Sequence, residues 1–388
     1  MKIFDKNQFL ELSQLKDFPV VSIYIPTARM SNNGYQEDII NFKNQLSIAE
    51  KELIEKANFT KKDAHAFLEN AKHLLEDFEF WQHSSDLLAC FISKDNLQTF
   101  KLPIDHKEII CRISNQPYLM PLTEELNGNG HYYLLLLNLD RIHLFEATRN
   151  VIQEINLDEE EVAVSFTTEE EQDENQKQLH GQGGVGVARA MYHGHGDGSD
   201  EEKKVTVLNY FHRMTNMLEP KLNKNPLPLF IAGVEYLGPI FREACKYSLL
   251  KKGQVIGGFT VRDMDLLHEK SWELAKEIFD EELKAKKEGF GLLKSKNLAV
   301  HAETEIIKTA LTGGVHSLFI SKSYPPLWGS YDEANHQLNR NGTSGENNHC
   351  LIDLAATKTI EFGGDVYVLD PEEMPTEHPF SATLRYEI

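Results

Sequence analysis

Residues Leu179–Gly196, LHGQGGVGVARAMYHGHG, are too glycine-dense to have a core of their own to fold onto, and every other element of the chain has to be placed on one side of them or the other. The stretch holds Gly181, Gly183, Gly184, Gly186, Gly194 and Gly196 and not one carboxylate. Glu169, Glu170, Glu171, Asp173 and Glu174 precede it, and Asp197, Asp200, Glu201 and Glu202 follow. Glycine keeps φ > 0 open and lets backbone N–H groups come close to another molecule. A neutral-to-basic tip on a solvated acidic stalk therefore suits a loop, over about 168–200, that takes its order from a partner.

Three other readings of the stretch compete with this one. Gly181, Gly183 and Gly186 fit G-x-G-x-x-G, but Gln176, Lys177 and Gln178 before them are polar and cannot form the buried strand that a dinucleotide site requires. His180, His193, His195 and Asp197 are metal-ligand types, yet the HGHG run lacks the spacing of a structural zinc site and has no cysteine nearby. No metal and no cofactor is expected. The third reading is a surface loop with no role, which composition alone permits.

The chain of 388 residues is 41% hydrophobic and 26% charged, enough apolar material for a core in each of two or three domains. No apolar run approaches a membrane span, and Met1–Asp5 is not a signal peptide, so the expectation is a cytoplasmic protein with no membrane partner. Cys90, Cys111, Cys245 and Cys350 fall in no metal or redox spacing and read as reduced thiols. The formal net charge of −20 argues against a surface that holds nucleic acid everywhere by phosphate contact. Local cations such as Arg29, Lys43, Arg189, Arg213 and Lys221 remain available to RNA.

Periodicity divides the rest into three parts, 1–126, 127–259 and 260–388. In the first, Pro19–Pro26 reads as a strand. An amphipathic helix begins near Gln36, and a second near Lys62 opens with the Thr60/Asp63 start signal. Short strands are expected at 87–92, 97–102, 108–113 and 118–122, giving an N-terminal α+β module. The second part starts after the breaker cluster Asn127–Gly130. Its strands at 131–138, 141–147 and 151–157 read as an antiparallel meander leading into the glycine loop. A helix over 202–222, a buried strand over 228–234 and a helix opened by Pro239 follow. The third part has a long helix from Leu266 to Lys287 with Gly289 at its end, a helix over 303–311, a strand over 315–321, a loop over 324–348, a helix over 351–359 and a strand over 364–369. This alternation predicts a three-layer α/β sandwich.

The run His180-Gly181-Gln182-Gly183-Gly184-Val185-Gly186-Val187-Ala188-Arg189 resembles the peptidyl-transferase-centre loop of archaeal and eukaryotic class-I peptide-chain release factors. There, Lys-His-Gly-Arg-Gly-Gly-Gln leads into an Arg-bearing helix. His180, Gly183, Gly184 and Arg189 match, while Val185 stands at the place of the catalytic Gln. Asn41-Phe42-Lys43-Asn44 is weakly similar to the family's Asn-Ile-Lys-Ser codon-side element, with Asn41 and Lys43 as the shared residues; the plainer reading makes Phe42 a core position and Lys43 a solvated one. Ala310–Ile320 and the ending Ala382–Tyr386 resemble the family's C-terminal helix-to-strand passage and its Gly-Ile-Leu-Arg-Tyr terminus. These segments lie in family order over nearly the whole chain. The best resemblance is to the family's bacterial branch, which includes hibernation-type ribosome factors, with the Pelota rescue factors more distant. It implies an RNase H-like middle domain carrying the projecting loop and a C-terminal domain like ribosomal protein L7Ae.

The resemblance implies the ribosome, with ribosomal RNA or tRNA, as partner, and a translational GTPase docked on the C-terminal domain. Val185 has no side-chain donor or acceptor, which favours a non-enzymatic A-site factor for rescue, hibernation or quality control. Two alternatives stay open. One is a peptidyl-tRNA hydrolase using Gln182 or backbone groups. The other is an off-ribosome scaffold or nuclease, although Asp140, Glu146 and Glu235 carry no two-metal signature.

Overall fold

The computed structural model describes residues 3–16, 18–30, 35–94, 96–127, 130–139, 143–157, 200–332, 335, 337–346 and 348–387. They form a mixed α/β structure in two compact units, His131–Phe279 and Lys2–Gly130 together with Asp280–Ile388.

The N-terminal segment opens with helix α1 (Lys6–Ser13), started by a reciprocal cap in which Gln8 N donates to Asp5 Oδ1 at 2.8 Å and Asp5 N to Gln8 Oε1 at 3.1 Å. Strand β1 (Val20–Pro26) is central in an antiparallel sheet of order β3-β2-β1-β4, with β2 at Leu87–Ser93, β3 at Asn96–Leu102 and β4 at Ile110–Ser114. Period-two alternation sends Val21, Ile23 and Ile25 to the face covered by helices α2 (Gln36–Lys56), α3 (Lys61–Phe67), α4 (Glu69–His73) and α5 (Phe78–Gln82). Tyr24 points to the opposite face, where it joins Phe9 and Leu12 of α1. Residues 118–122, expected as a strand, instead lead into helix α6 (Met120–Asn127). Pro121 suits a first helical turn and cannot donate to a ladder. The two preceding amides are satisfied by side chains, Tyr118 N by Ser22 Oγ at 3.0 Å and Leu119 N by Asp353 Oδ2 at 2.8 Å.

The middle unit is built on strand β5 (Tyr132–Leu137), whose six residues are all buried. To one side it pairs antiparallel with β6 (His143–Ala147), which pairs with β7 (Ile152–Glu154). On the other side β8 (Leu229–Gly233) and β9 (Val255–Ile256) run parallel to it, giving the order β7-β6-β5-β8-β9. Tyr133, Leu135 and Leu137 face helices α7 (Asp200–Leu222) and α8 (Leu237–Ala244). Tyr132, Leu134 and Leu136 face the first half of helix α9 (Met264–Ser295) through Leu267, Trp272 and Ala275. A parallel strand covered by helices on both faces explains a run without polar alternation. The two tyrosine hydroxyls are anchored, Tyr132 to Ser271 Oγ at 2.9 Å and Tyr133 to Asn225 O at 3.1 Å.

Gly233 closes β8 at φ +143°, and a Cβ there would lie 2.8 Å from the Leu137 carbonyl oxygen. Gly233→Ala is therefore expected to cost about 1–3 kcal/mol of stability from backbone strain, before the clash is counted. An unchanged urea midpoint would refute this close strand approach.

Helix α9 does not stop at Gly289. It passes Gly289 and Gly291, where an added Cβ meets nothing within 4 Å, and ends at Ser295. The stop comes from Asn297 in the left-handed region (φ 56°), with Leu298 N closing on Leu293 O at 2.8 Å. In the last segment the sheet order is β10-β16-β11-β15, with β10 at Ala299–Val300, β11 at Val315–Ser321, β15 at Asp365–Leu369 and β16 at Phe380–Leu384. Helices α10 (Glu303–Leu311) and α11 (Leu351–Glu361) cover one face, and Phe290 of α9 packs on Phe319 from the other. Residues 324–348, expected as a loop, include strands β12 (Trp328–Asp332) and β13 (Gln337–Arg340), which pair with β14 (His349–Cys350) in a small sheet. The turn-forming residues sit in the connections, and β13 is too exposed to carry an apolar signal.

Leu119 and Leu122 share a core with Ile306, Ile352 and Ala355, so the N-terminal and C-terminal segments pack together within their unit. No helix among the described residues is long and apolar enough to cross a membrane.

Candidate functional site

The residues taken from the sequence as the loop site, His180, Gly181, Gln182, Gly183, Gly184, Val185 and Arg189, lie outside the described residues, as do His193, His195 and Asp197. What the structure defines is how the chain enters and leaves that segment. On the entry side β7 pairs Glu154 with Phe145 and Ile152 with Ala147. His143 Nδ1 meets Glu154 Oε1 at 2.7 Å, and Ile155 N donates to Leu144 O at 2.8 Å, which fastens the last turn of chain before the segment. Ile155 and Leu157 then lean on the core beneath α7.

On the exit side α7 presents Val207, Phe211, Met214, Leu218 and Leu222 to the sheet, whereas Val205, which the helical spacing places in the same buried stripe, is exposed. Phe211 is fully buried and sits edge-on to Phe241 of α8 at 5.5 Å. Tyr210 OH donates to Asn138 O at 3.1 Å, tying the helix to the end of β5. Both ends of the glycine-rich segment are thus built from the same hydrophobic layer of one unit. Arg213 is exposed on α7.

The codon-side candidates lie elsewhere in the chain, on α2. Asn41 is half-buried, Phe42 is fully buried with its ring 5.7 Å from Trp81, and Lys43 is exposed. That distribution is what an amphipathic core helix requires, and Lys43 is left facing solvent. Arg29 is less available than its sequence context implies. Its guanidinium forks onto Asp86, Nε to Oδ1 at 2.8 Å and Nη2 to Oδ2 at 2.5 Å, and the same hydrogen bonds raise its pKa.

Of the carboxylates considered for two-metal chemistry, Glu146 Oε1 accepts from His131 Nε2 at 2.7 Å, Glu235 is exposed, and Asp140 lies outside the described residues. Among the described residues no group of three His, Cys, Asp or Glu side chains is placed to hold a metal. Cys90, Cys111 and Cys350 are buried free thiols, and burial raises the pKa of each, that of Cys111 and Cys350 to about 12.

One polar residue of consequence escaped the sequence reading. Asp353, in the first turn of α11, is buried in the joint core of the N-terminal and C-terminal segments. Its Oδ2 accepts the Leu119 amide, and burial pushes its pKa up to about 7 against that hydrogen bond. Only its place opposite Leu119 reveals it, and a carboxylate in the first turn of a helix ordinarily reads as a favourable dipole partner.

Residues 132–277 match the model of "Bacterial archaeo-eukaryotic release factor family 7". No curated protein matches the chain. Among solved structures, an archaeal protein aligns at 14% identity over 100% of both chains with a TM-score of 0.29. The archaeal translation termination factor aRF1 aligns at 13% identity over 99% of each chain with a TM-score of 0.25. Dom34 of S. cerevisiae, a translation termination-like factor involved in RNA quality control pathways and interacting with Hbs1, aligns at 12% identity over 81% of each chain with a TM-score of 0.32.

Proposed function

We propose that this chain, whose residues 132–277 match the model of bacterial archaeo-eukaryotic release factor family 7, is a ribosome-associated translation factor that presents its glycine-rich segment to the peptidyl-transferase centre. The observation that carries this reading is a coincidence of boundaries: the family match over 132–277 covers nearly the same residues as the compact unit His131–Phe279, which holds the glycine-rich segment between β7 and α7. The order β7-β6-β5-β8-β9, with helices on both faces, supports an RNase H-like description of that unit. A division into 1–126, 127–259 and 260–388, an L7Ae-like last domain, a translational GTPase docked there and a cytoplasmic location belong to the same proposal.

The factor occupies the A site in rescue, hibernation or quality control, and it releases no peptide. Val185 stands where the resembled Gly-Gly-Gln loop has its Gln, and an apolar side chain gives the attacking water nothing to bond to. His180, Gly183, Gly184 and Arg189 position the loop independently of that side chain.

The test is co-sedimentation with ribosomes, paired with hydrolysis of peptidyl-tRNA on them. The unmodified protein is expected to pellet with ribosomes and leave the ester intact, while Arg189→Glu weakens pelleting roughly tenfold at low salt by placing a carboxylate against phosphate. Failure to pellet would discard the ribosomal reading. Efficient release by the Val185 protein would replace the non-enzymatic factor with a hydrolase using Gln182 or backbone groups.

A further inference from the structure

Within the unit formed by Lys2–Gly130 and Asp280–Ile388, a cleft of about 510 Å³ opens between the end of α1, the residues after β4, strands β12 and β14, and the outer face of α11. Its size is that of a small-molecule pocket, and its lining is largely polar. Neither ring nitrogen of His349 has a hydrogen-bond partner among the described residues although both are buried, and Asn115 Oδ1, in the same lining, is in the same position. Buried polar atoms of a folded protein are nearly always paired, with protein groups or with ordered water, and this cleft brings three such atoms together.

The chemistry of these atoms narrows what can pair them. Burial lowers the His349 pKa to about 4, with Lys16 adding to the effect, so the ring is neutral and offers one N–H donor and one acceptor nitrogen. Asn115 Oδ1 requires a donor. A carboxylate supplies only acceptors and an ammonium only donors, so neither completes the set. Alternating donors and acceptors on a flat edge are the property of a nucleobase. Tyr331 brings an aromatic ring to the lining. Three of the four charged side chains there are engaged: Lys358 Nζ lies 2.6 Å from Glu361 Oε2, and Asp332 accepts from Asn335 Nδ2 at 2.7 Å. Lys16, exposed at the rim, has no ion-pair partner among the described residues.

We propose that this cleft is a nucleobase-binding site, in which a base edge pairs with Asn115 and His349 and the attached phosphate meets Lys16. Two sources share that chemistry, a free nucleoside monophosphate and an unpaired nucleotide of an RNA strand. The proposal does not rest on the ribosomal reading, since none of its residues lies in the glycine-rich segment or in the middle unit.

The experiment follows the histidine Cε1–H signals of the full-length protein by NMR during titration with AMP, GMP, CMP, UMP, adenosine and a single-stranded RNA decamer. Loss of one signal in His349→Phe assigns the residue. Saturable movement of that signal below about 1 mM ligand is expected, with affinity falling about tenfold in both His349→Phe and Asn115→Leu. Lys16→Ala weakens the monophosphate and spares the nucleoside. Movement by mononucleotides identifies the free source, and movement by the decamer alone identifies RNA. If His349→Phe does not fold, the unmodified protein and Asn115→Leu decide the matter. No saturable movement with any nucleotide, unaltered affinity in Asn115→Leu, or movement by an alanine tetrapeptide amide alone overturns the proposal.

Discussion

At pH 8 the Asp353→Asn protein is expected to be more stable than the unmodified chain by up to about 4 kcal/mol. Asp353 is buried, its Oδ1 has no partner among the described residues, and burial raises its pKa to about 7 from an ordinary 3.8. A carboxyl whose folded pKa is raised binds its proton more tightly in the native state than in the unfolded chain, so stability falls as pH rises between those two values. The full cost is present above pH 7, and about three units at 1.36 kcal/mol each set its upper size. Asn keeps an oxygen to accept the Leu119 amide and cannot ionise. The two proteins should therefore converge as pH falls through 7 and match near pH 4. Urea unfolding at pH 4, 6 and 8 measures this. Taking the difference between the two proteins removes the contribution of the other carboxylates, which a net charge of −20 makes large. An offset that is constant with pH would mean that Asp353 carries no buried charge.

Phe211→Ala is expected to destabilise the middle unit by about 3–5 kcal/mol, the usual range for removing a buried aromatic from a core. Phe211 is 0% exposed and contacts Tyr210 and Phe241 at ring distances of 5.5 Å. The substitution leaves a cavity under α7, the helix that receives the chain after the glycine-rich segment. Ribosome pelleting should drop in proportion to the unfolded fraction, and a cosolvent that restores folding should restore it. A loss below about 1 kcal/mol would contradict the packing of α7 on β5 and β8.

Much of this fold is legible in the sequence because its core elements follow one rule at a time. Val21, Ile23 and Ile25 alternate, Val207 to Leu222 repeats with helical spacing, and Tyr132–Leu137 is uniformly apolar because helices cover both faces of β5. The errors fall where two rules compete. Gly289 looks like a stop, but a glycine inside a long helix costs only about 1 kcal/mol, and the left-handed Asn297 ends the helix instead. Residues 328–340 were masked as strands by polar side chains and turn formers, since β13 is exposed and its pairing with β12 is carried by backbone bonds. The site divides in the same way. Motif spacing picks out His180 to Arg189, whereas Asp353, His349 and Asn115 acquire their character from residues more than a hundred positions away or from burial alone. Arg29 shows the converse, a cation promising in sequence and already engaged by Asp86.

The two anchored hydroxyls of β5 settle a question of uniqueness. A strand that is apolar on one face and polar on the other resists sliding, because a one-residue slip would expose its greasy side. Tyr132–Leu137 has no such safeguard: moved by one position, it still offers apolar groups to both helix layers. After that slip, however, one tyrosine takes the other's slot while its neighbour moves to a position with no partner set for a phenol, so one of the two anchors, Tyr132 OH to Ser271 or Tyr133 OH to Asn225, goes unmade. Two oxygen atoms on adjacent residues, pointing in opposite directions, act as the vernier marks by which an otherwise featureless strand finds its one alignment.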